Sequence, residues 1–381
     1  MNTQFDVIVV GVGAMGSAAC FHLARRGVRV LGLEQFGIPH ALGSSHGESR
    51  MIRLCYAEHP DYVPLLRRAY ALWDELEQLT GAKVLHRVGG IYIGPPGSEF
   101  IDGTLRAALE HRLPHERLSR AQLASRYPQF TVPDDHVGVH EPEAGFLLPE
   151  RAVAAHAELA LRHGATIHAH EPVIEWTSDA HGVTVRTARA AYAANRIVFC
   201  GGAWSERLLG EIGVPLHVTR QALAWFWPKQ PEPFALGTMP VWAIDHADGA
   251  IHYGFPMLPC TISARPGFKV AHHAQGEPTT PESIDRMPQP KDEEGLRQML
   301  RRTIPQAEGP LLSMAICMYT NSPDSHFIID RHPRDERAVI ACGFSGHGFK
   351  FASVLGEVLA DLAMNGVTRH PIEFLGLQRF R

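Results

Sequence analysis

Two apolar runs near the start of the chain, Phe5 to Val10 and Val28 to Glu34, flank a stretch of helix-forming residues that Gly27 stops. Between the first run and that stretch stands Gly11-Val12-Gly13-Ala14-Met15-Gly16. Strand, glycine turn, helix, strand is a βαβ unit, and the short apolar runs read as buried strands. Leu65, Leu66, Ala69, Tyr70, Trp73 and Leu76 then recur on one helical face and predict a helix over 61–79. From Gly89 the pattern changes to short strands and many prolines. A helix is predicted over 150–163, followed by short strands at 165–170, 173–176 and 183–187. Arg196 to Phe199 continues as a buried strand that ends in Gly201 and Gly202. Residues 216–316 are mixed and rich in Pro, Trp and His, with one predicted helix near 293–303. The end is again clear: a strand at 338–342, a glycine-rich turn at 343–348 and a helix at 351–364.

Three pieces with the character of a nucleotide-binding domain are thus separated by two mixed insertions. One discontinuous domain explains this order better than a string of separate ones. A nicotinamide dehydrogenase would usually complete its nucleotide domain in one stretch. The expected division gives 1–85, 148–215 and 318–381 to a dinucleotide-binding domain, and 86–147 and 216–317 to a substrate-binding domain.

The glycines near the N-terminus carry the first chemistry. Gly11 permits the tight turn, Gly13 lets backbone approach a pyrophosphate, and Gly16 lets helix pack on strand. The helix N-terminus offers free N–H groups and the positive end of its dipole to the phosphates. Glu34, 23 residues after Gly11, ends the second apolar run, where a carboxylate can accept hydrogen bonds from ribose hydroxyls and would repel a 2′-phosphate. The fingerprint occurs once, so one bound dinucleotide is expected.

Composition narrows the picture mainly by exclusion. The chain has 381 residues, enough for two domains, with 45% hydrophobic and 20% charged residues and a net charge of −4. That balance gives no nucleic-acid surface and no polybasic membrane face. No apolar stretch is long enough to span a bilayer. The six cysteines are scattered without a CxxC pair, which favours a reduced, cytoplasmic setting. No P-loop, HExxH or GxSxG is present, and Leu113-Pro114 breaks the helix that would align His111 with His115, so no metal is expected.

Five segments carry a family resemblance. They are Gly43-Ser44-Ser45-His46-Gly47-Glu48-Ser49-Arg50-Met51-Ile52-Arg53, Tyr253-Gly254-Phe255-Pro256, Phe268-Lys269-Val270, Cys317-Met318-Tyr319-Thr320 with His326-Phe327-Ile328-Ile329-Asp330, and Gly343-Phe344-Ser345-Gly346-His347-Gly348-Phe349-Lys350-Phe351. Together they resemble the monomeric sarcosine oxidase and N-methyltryptophan oxidase family, FAD-dependent amine oxidases of the D-amino acid oxidase-like superfamily. The resemblance runs from the first strand to nearly the last helix.

It implies an α/β fold: a glutathione-reductase-like, Rossmann-type FAD-binding domain, with a mixed-sheet α+β substrate domain over the flavin. It implies FAD bound at Gly11, Gly13, Gly16, Glu34, Gly43, Ser44, Gly201, Gly343, Gly346 and Lys350, with a covalent bond from the Cys317 sulfur to the flavin 8α carbon. By residue type alone Cys317 is an ordinary buried thiol. The family match gives Lys269 a role in the reaction with O₂, where a cation stabilises developing superoxide, and Arg50 a place at the flavin face. Arg53 and Lys350 match the pair that binds a substrate carboxylate, for which a guanidinium fork and an ammonium are suited. Tyr319, His273 and Tyr253 match side chains of the substrate cavity, with adjacent His272 as the alternative histidine. The implied activity is oxidation of a small N-methyl or cyclic secondary amino acid, with O₂ reduced to hydrogen peroxide, by a monomer. Alternatives are a glycine or D-amino acid oxidase, an FAD dehydrogenase with another acceptor, an NAD-dependent dehydrogenase, or a non-catalytic FAD-binding scaffold.

The chain departs from the family pattern at Ser45, Ser49 and His252, and across 242–250. These departures bear on the substrate more than on the reaction.

Overall fold

The computed structural model describes residues 5–381 apart from 211, 247, 274 and 275. Strand β1 (Phe5–Val10), helix α1 (Ala14–Ala24) and strand β2 (Val30–Leu33) form the expected βαβ unit. β1 pairs in parallel with β2 on one side and with the strand Ala191–Phe199 on the other. Such a strand has both faces covered, which explains why Val7 to Val10 are all buried and why the sequence shows a continuous apolar run. α1 is buried on every side, between the helices Pro149–Arg162 and Ala352–Asn365. An apolar stripe would not serve a helix enclosed in this way, and its composition is mostly apolar on all sides, with Ser17 and His22 buried among the rest.

These strands belong to an eight-stranded sheet that the chain leaves and re-enters. Thr166–His168 extends the edge beside β2, and Val173–Asp179 and Gly182–Thr187 extend the other side antiparallel. The strand Asp335–Cys342 joins in parallel beside Ala191–Phe199, and Ile328–His332 lies antiparallel to it. In between, the chain builds a nine-stranded sheet from 90–141, 217–278 and 311–321. Its strand Leu311–Asn321 runs past residue 317, so Cys317 lies inside a strand. Arg50–Ile52, Leu85–Arg87 and Gly145–Leu147 form a small third sheet.

The helices predicted over 61–79, 150–163, 293–303 and 351–364 are present as Tyr62–Thr80, Pro149–Arg162, Pro290–Thr303 and Ala352–Asn365. The region after Gly89 differs from the expectation of short strands alone. It contains helices Glu99–Glu110 and Arg120–Arg126. Each starts at a serine whose hydroxyl accepts a backbone N–H, Ser98 from Ile101 and Ser119 from Gln122. The first also contains Gly103, a poor helix former, where a Cβ would overlap the backbone of Ala57.

Candidate active site

A deep cleft opens at the C-terminal ends of β1 and β2. Gly11, Gly13, Ala14, Glu34, Gly43, Ser44 and Arg50 line it from the first part of the chain, and Gly201, Cys317, Gly343 and Gly346 from the rest. Gly11 adopts a φ of 87°, and a Cβ there would run into the carbonyl of Cys200. Gly16 does not face the cleft; a Cβ on it would collide with the Gly11 carbonyl. A Cβ on Gly13 would meet only the Ser45 hydroxyl, at 3.8 Å, so backbone is open to a ligand there. The first turn of α1 has no acidic residue and no side-chain cap. The Glu34 carboxylate accepts the N–H of Val12 (2.8 Å) and Phe36 (3.0 Å) at the far side of the same cleft. Glycine-paved backbone, an uncapped helix start and a carboxylate at the end of the second strand fit a dinucleotide such as FAD.

A second cavity of about 820 Å³ adjoins the cleft. Arg50, Tyr253, Tyr319, Gly346 and Phe349 line both spaces, so the two share a wall. The strand alternation decides between the adjacent histidines of Phe268–His273. His273 faces the cavity, and its Nδ1 lies 3.2 Å from Tyr319 Oη. His272 points the other way and stacks on His252, with ring centroids 4.4 Å apart. The Tyr319 and Tyr253 side chains stand together on this wall. Burial pushes His273 down to about 4, with Lys350 and Arg53 adding to this and Glu58 opposing, so its ring is neutral at physiological pH.

Arg53 and Lys350 sit together on the other wall of this cavity. The Arg53 guanidinium lies over the rings of Tyr56 (4.8 Å), Phe100 (5.4 Å) and Tyr92 (5.5 Å). It donates to the Cys55 carbonyl (2.9 Å) and to the Glu58 carboxylate (2.8 Å). The loop carrying it is held by Glu141, which accepts the N–H of Leu54 (2.5 Å) and of Cys55 (3.2 Å). Lys350 donates to the His347 carbonyl (2.8 Å) and to Tyr56 Oη (3.3 Å). Its backbone is tied down by Trp73 Nε1, which donates to the Lys350 carbonyl at 2.9 Å. His347 Nε2 lies 2.9 Å from the Ser325 carbonyl and must donate there, so Nδ1 accepts from Tyr56 Oη at 2.6 Å. Burial lowers Lys350 to about 7, opposed by Glu58 and assisted by Arg53. Burial pushes Glu58 up, but Arg53, His347 and Lys350 outweigh it and hold the carboxyl at about 2.

Lys269 lines neither space. It is buried, and its ammonium donates to the carbonyls of Gly47 (2.6 Å) and Ser49 (2.8 Å) and to the Ser49 hydroxyl (3.1 Å). Burial and the neighbouring Arg50 push its pKa well below the usual lysine range. Glu150 takes the N–H of Gly47 (2.6 Å) and Glu48 (3.2 Å) from the other side, so the loop 43–50 is clamped between a cation and an anion. Cys317 Sγ is buried, 3.7 Å from Arg50 Nη2, and lines the cleft.

Tyr56, Glu58 and His347 complete the polar wall around Lys350, and sequence reasoning gave them no role. His347 stood inside a quoted motif. Glu58 follows Arg53 by five residues, and only the fold shows that the two pair.

Comparison with known proteins points the same way. The family profile described as FAD dependent oxidoreductase matches residues 6–362. A monomeric sarcosine oxidase of Streptomyces avermitilis is 45% identical over 374 residues, covering 98% of this chain and 97% of that protein. An N-methyl-L-tryptophan oxidase of Yersinia pestis is 35% identical over 381 residues, covering 99% of this chain and all of that protein. Among solved structures, NikD, an unusual amino acid oxidase essential for nikkomycin biosynthesis, superposes with a TM-score of 0.84 at 26% identity, over 98% of each chain.

Proposed function

This chain belongs to the family of FAD-dependent oxidoreductases, and from that premise we propose that it is an oxidase of N-methyl or cyclic secondary amino acids. The observation that carries the reading is the shared wall. A cavity with Arg53 and Lys350 on one side opens at Arg50, Tyr253, Tyr319 and Gly346 onto the cleft that fits FAD. A carboxylate held by that pair brings the amine of the same molecule toward the cofactor.

Bound FAD supplies the two-electron acceptor for the C–H bond beside nitrogen and, once reduced, passes those electrons to O₂ to give hydrogen peroxide. The residues do the rest. Arg53 and Lys350 take the carboxylate, Arg53 exchanging its bond to Glu58 for the substrate. The neutral His273 ring and the Tyr319–Tyr253 pair form the wall facing the amine, in a buried setting that favours its neutral form. The imine leaves for water, and an N-methyl substrate then yields formaldehyde and the primary amino acid. We assign Lys269 to the reaction with O₂ and Cys317 to the covalent bond with the flavin 8α carbon. Six free cysteines suit the cytoplasm, and the reading places the protein there as a monomer. No described helix is long and apolar enough to cross a membrane.

Acid precipitation of the holoenzyme tests the covalent assignment. Flavin is expected to stay with the precipitate of the parent protein and to enter the supernatant from Cys317→Ser. Release of flavin from the parent protein removes the bond and leaves the oxidase reading to be decided by peroxide formation with sarcosine and proline.

The Lys350 ammonium sets a pH dependence. With its pKa near 7, the fraction of free enzyme carrying the charged donor falls about tenfold per unit above that pH. The Kd of propionate, a carboxylate without an amine, is therefore expected to be flat below pH 7 and to weaken above it. In Lys350→Met the slope should disappear and the affinity should already be low at pH 6. A parent protein whose propionate affinity is level from pH 6 to 9 sinks the assignment.

A further inference from the structure

The same cavity carries a carboxylate that the proposed reaction does not use. We propose that Asp245 is the specificity determinant of a second binding point in the substrate cavity, one that takes a cationic side-chain group, so that the preferred substrates are N-methyl amino acids with basic side chains. This rests on the reading of the site given above.

The sheet register supplies the geometry. Asp245 pairs with Ile251, and Ile251 pairs with His273. In the next row, Ala243 pairs with Tyr253, and on its other side with Tyr92. Directly opposed residues project to the same face of a sheet. His273 and Tyr253 face the cavity, and Asp245, Ile251 and Ala243 line it with them. Neighbouring strands are about 4.8 Å apart, so Asp245 stands about 10 Å from His273 across this wall. Arg53 lies over Tyr92, the neighbour of Ala243, which is one pleat repeat from Asp245, about 7 Å. Ala243, a small residue, lines the cavity between them. A side chain of lysine or arginine length spans that distance.

The chemistry of Asp245 is unusual for its position. It is buried, yet among the described residues no lysine or arginine pairs with it. Burial pushes its carboxyl up, against the Ser98 hydroxyl and His136. A buried, unpaired carboxylate is costly by itself and gains most from a cation brought to it. Once a substrate carboxylate replaces Glu58 at Arg53, the cavity offers Arg53 and Lys350 at one end and Asp245 at the other, the charge order of a basic amino acid read from carboxylate to side chain. Its volume of about 820 Å³ lies within the roughly 300–1,000 Å³ that enclose much larger ligands than sarcosine.

The test compares kcat/KM, by peroxide formation, for Nα-methyl-L-lysine and for Nα-methyl-L-2-aminoheptanoate, in which a methyl group replaces the ammonium. Sarcosine and N-methyl-L-alanine are run alongside. The lysine compound is expected to exceed its methyl analogue at least tenfold, and the ratio should fall to about one in Asp245→Asn. The ratio is internal to each protein, so a general loss of activity does not mimic the result. A ratio near one in the parent protein overturns the inference even if the variants fail to fold. A ratio that survives in Asp245→Asn, or in Asp245→Ala where the asparagine variant is unstable, overturns the role of Asp245. Peroxide from sarcosine with a ratio near one leaves the proposed function standing without this inference. No peroxide from any of the four compounds, nor from proline, removes both.

Discussion

Replacing Lys269 by methionine is expected to slow reoxidation of the reduced flavin by O₂ roughly 10²–10³-fold, the usual cost of removing one preorganised charged donor, while flavin reduction by substrate changes only a few fold. The argument is electrostatic. Electron transfer to O₂ creates an anion before it creates peroxide, and a buried ammonium stabilises that anion far more than a solvated one would. Lys269 is buried and donates to Gly47 and Ser49, so it is held in place before the reaction begins. Its pKa lies well below the ordinary lysine range because of burial and Arg50, so a new negative charge beside it favours its protonated form. The same bonds support a purely structural reading, in which Lys269 only ties down the loop 43–50. Stopped-flow measurement of the two half-reactions separates them. Loop disorder would misplace Arg50 and slow reduction as much as reoxidation. A loss confined to reoxidation, relieved little by added substrate, belongs to the cation. Equal losses in both half-reactions sink the oxygen role.

The sequence was most informative where a requirement is local to the backbone. The turn at Gly11, the open approach at Gly13 and the contact of Gly16 with the Gly11 carbonyl are needs of one βαβ unit, and glycine is the residue that meets them. Glu34 follows from the length of that unit. The choice between His272 and His273 could not be made that way, because it depends on which face of the strand Phe268–His273 turns to the cavity. The helix Glu99–Glu110 was hidden by Pro95, Pro96 and Gly103, local signals against a helix that tertiary packing overrides, since Gly103 sits where a Cβ would overlap Ala57. Tyr56 was hidden for a different reason. Its partners His347 and Lys350 lie nearly three hundred residues away in sequence, and no spacing rule reaches that far. Asp245 lies in the stretch 242–250 that fits the family pattern least, and only the strand pairing shows it on the wall with His273.

Replacing Arg53 by methionine is expected to lower kcat/KM by about 2–5 kcal/mol, roughly 30-fold to several thousand-fold, because one partner of a desolvated charge pair is removed. Two effects contribute. The substrate carboxylate loses a fork that Lys350 alone cannot replace, and Glu58 is left without the guanidinium 2.8 Å away that helps hold its carboxyl at about 2. The second effect works against substrate twice, since an unpaired Glu58 repels the incoming carboxylate and draws on the Lys350 ammonium. Glu58→Gln isolates it. By itself this variant frees Arg53 from its resident anion and is expected to tighten propionate binding. Combined with Arg53→Met, it should recover part of the lost affinity, and the double-mutant cycle reads the coupling directly. If Arg53→Met binds propionate as the parent protein does, Arg53 is a structural partner of Glu58 and the carboxylate site must be sought at Lys350 alone. If Glu58→Gln weakens binding, the ion pair holds Arg53 in its binding position over Tyr56 and Tyr92, and the exchange of partners proposed here is wrong.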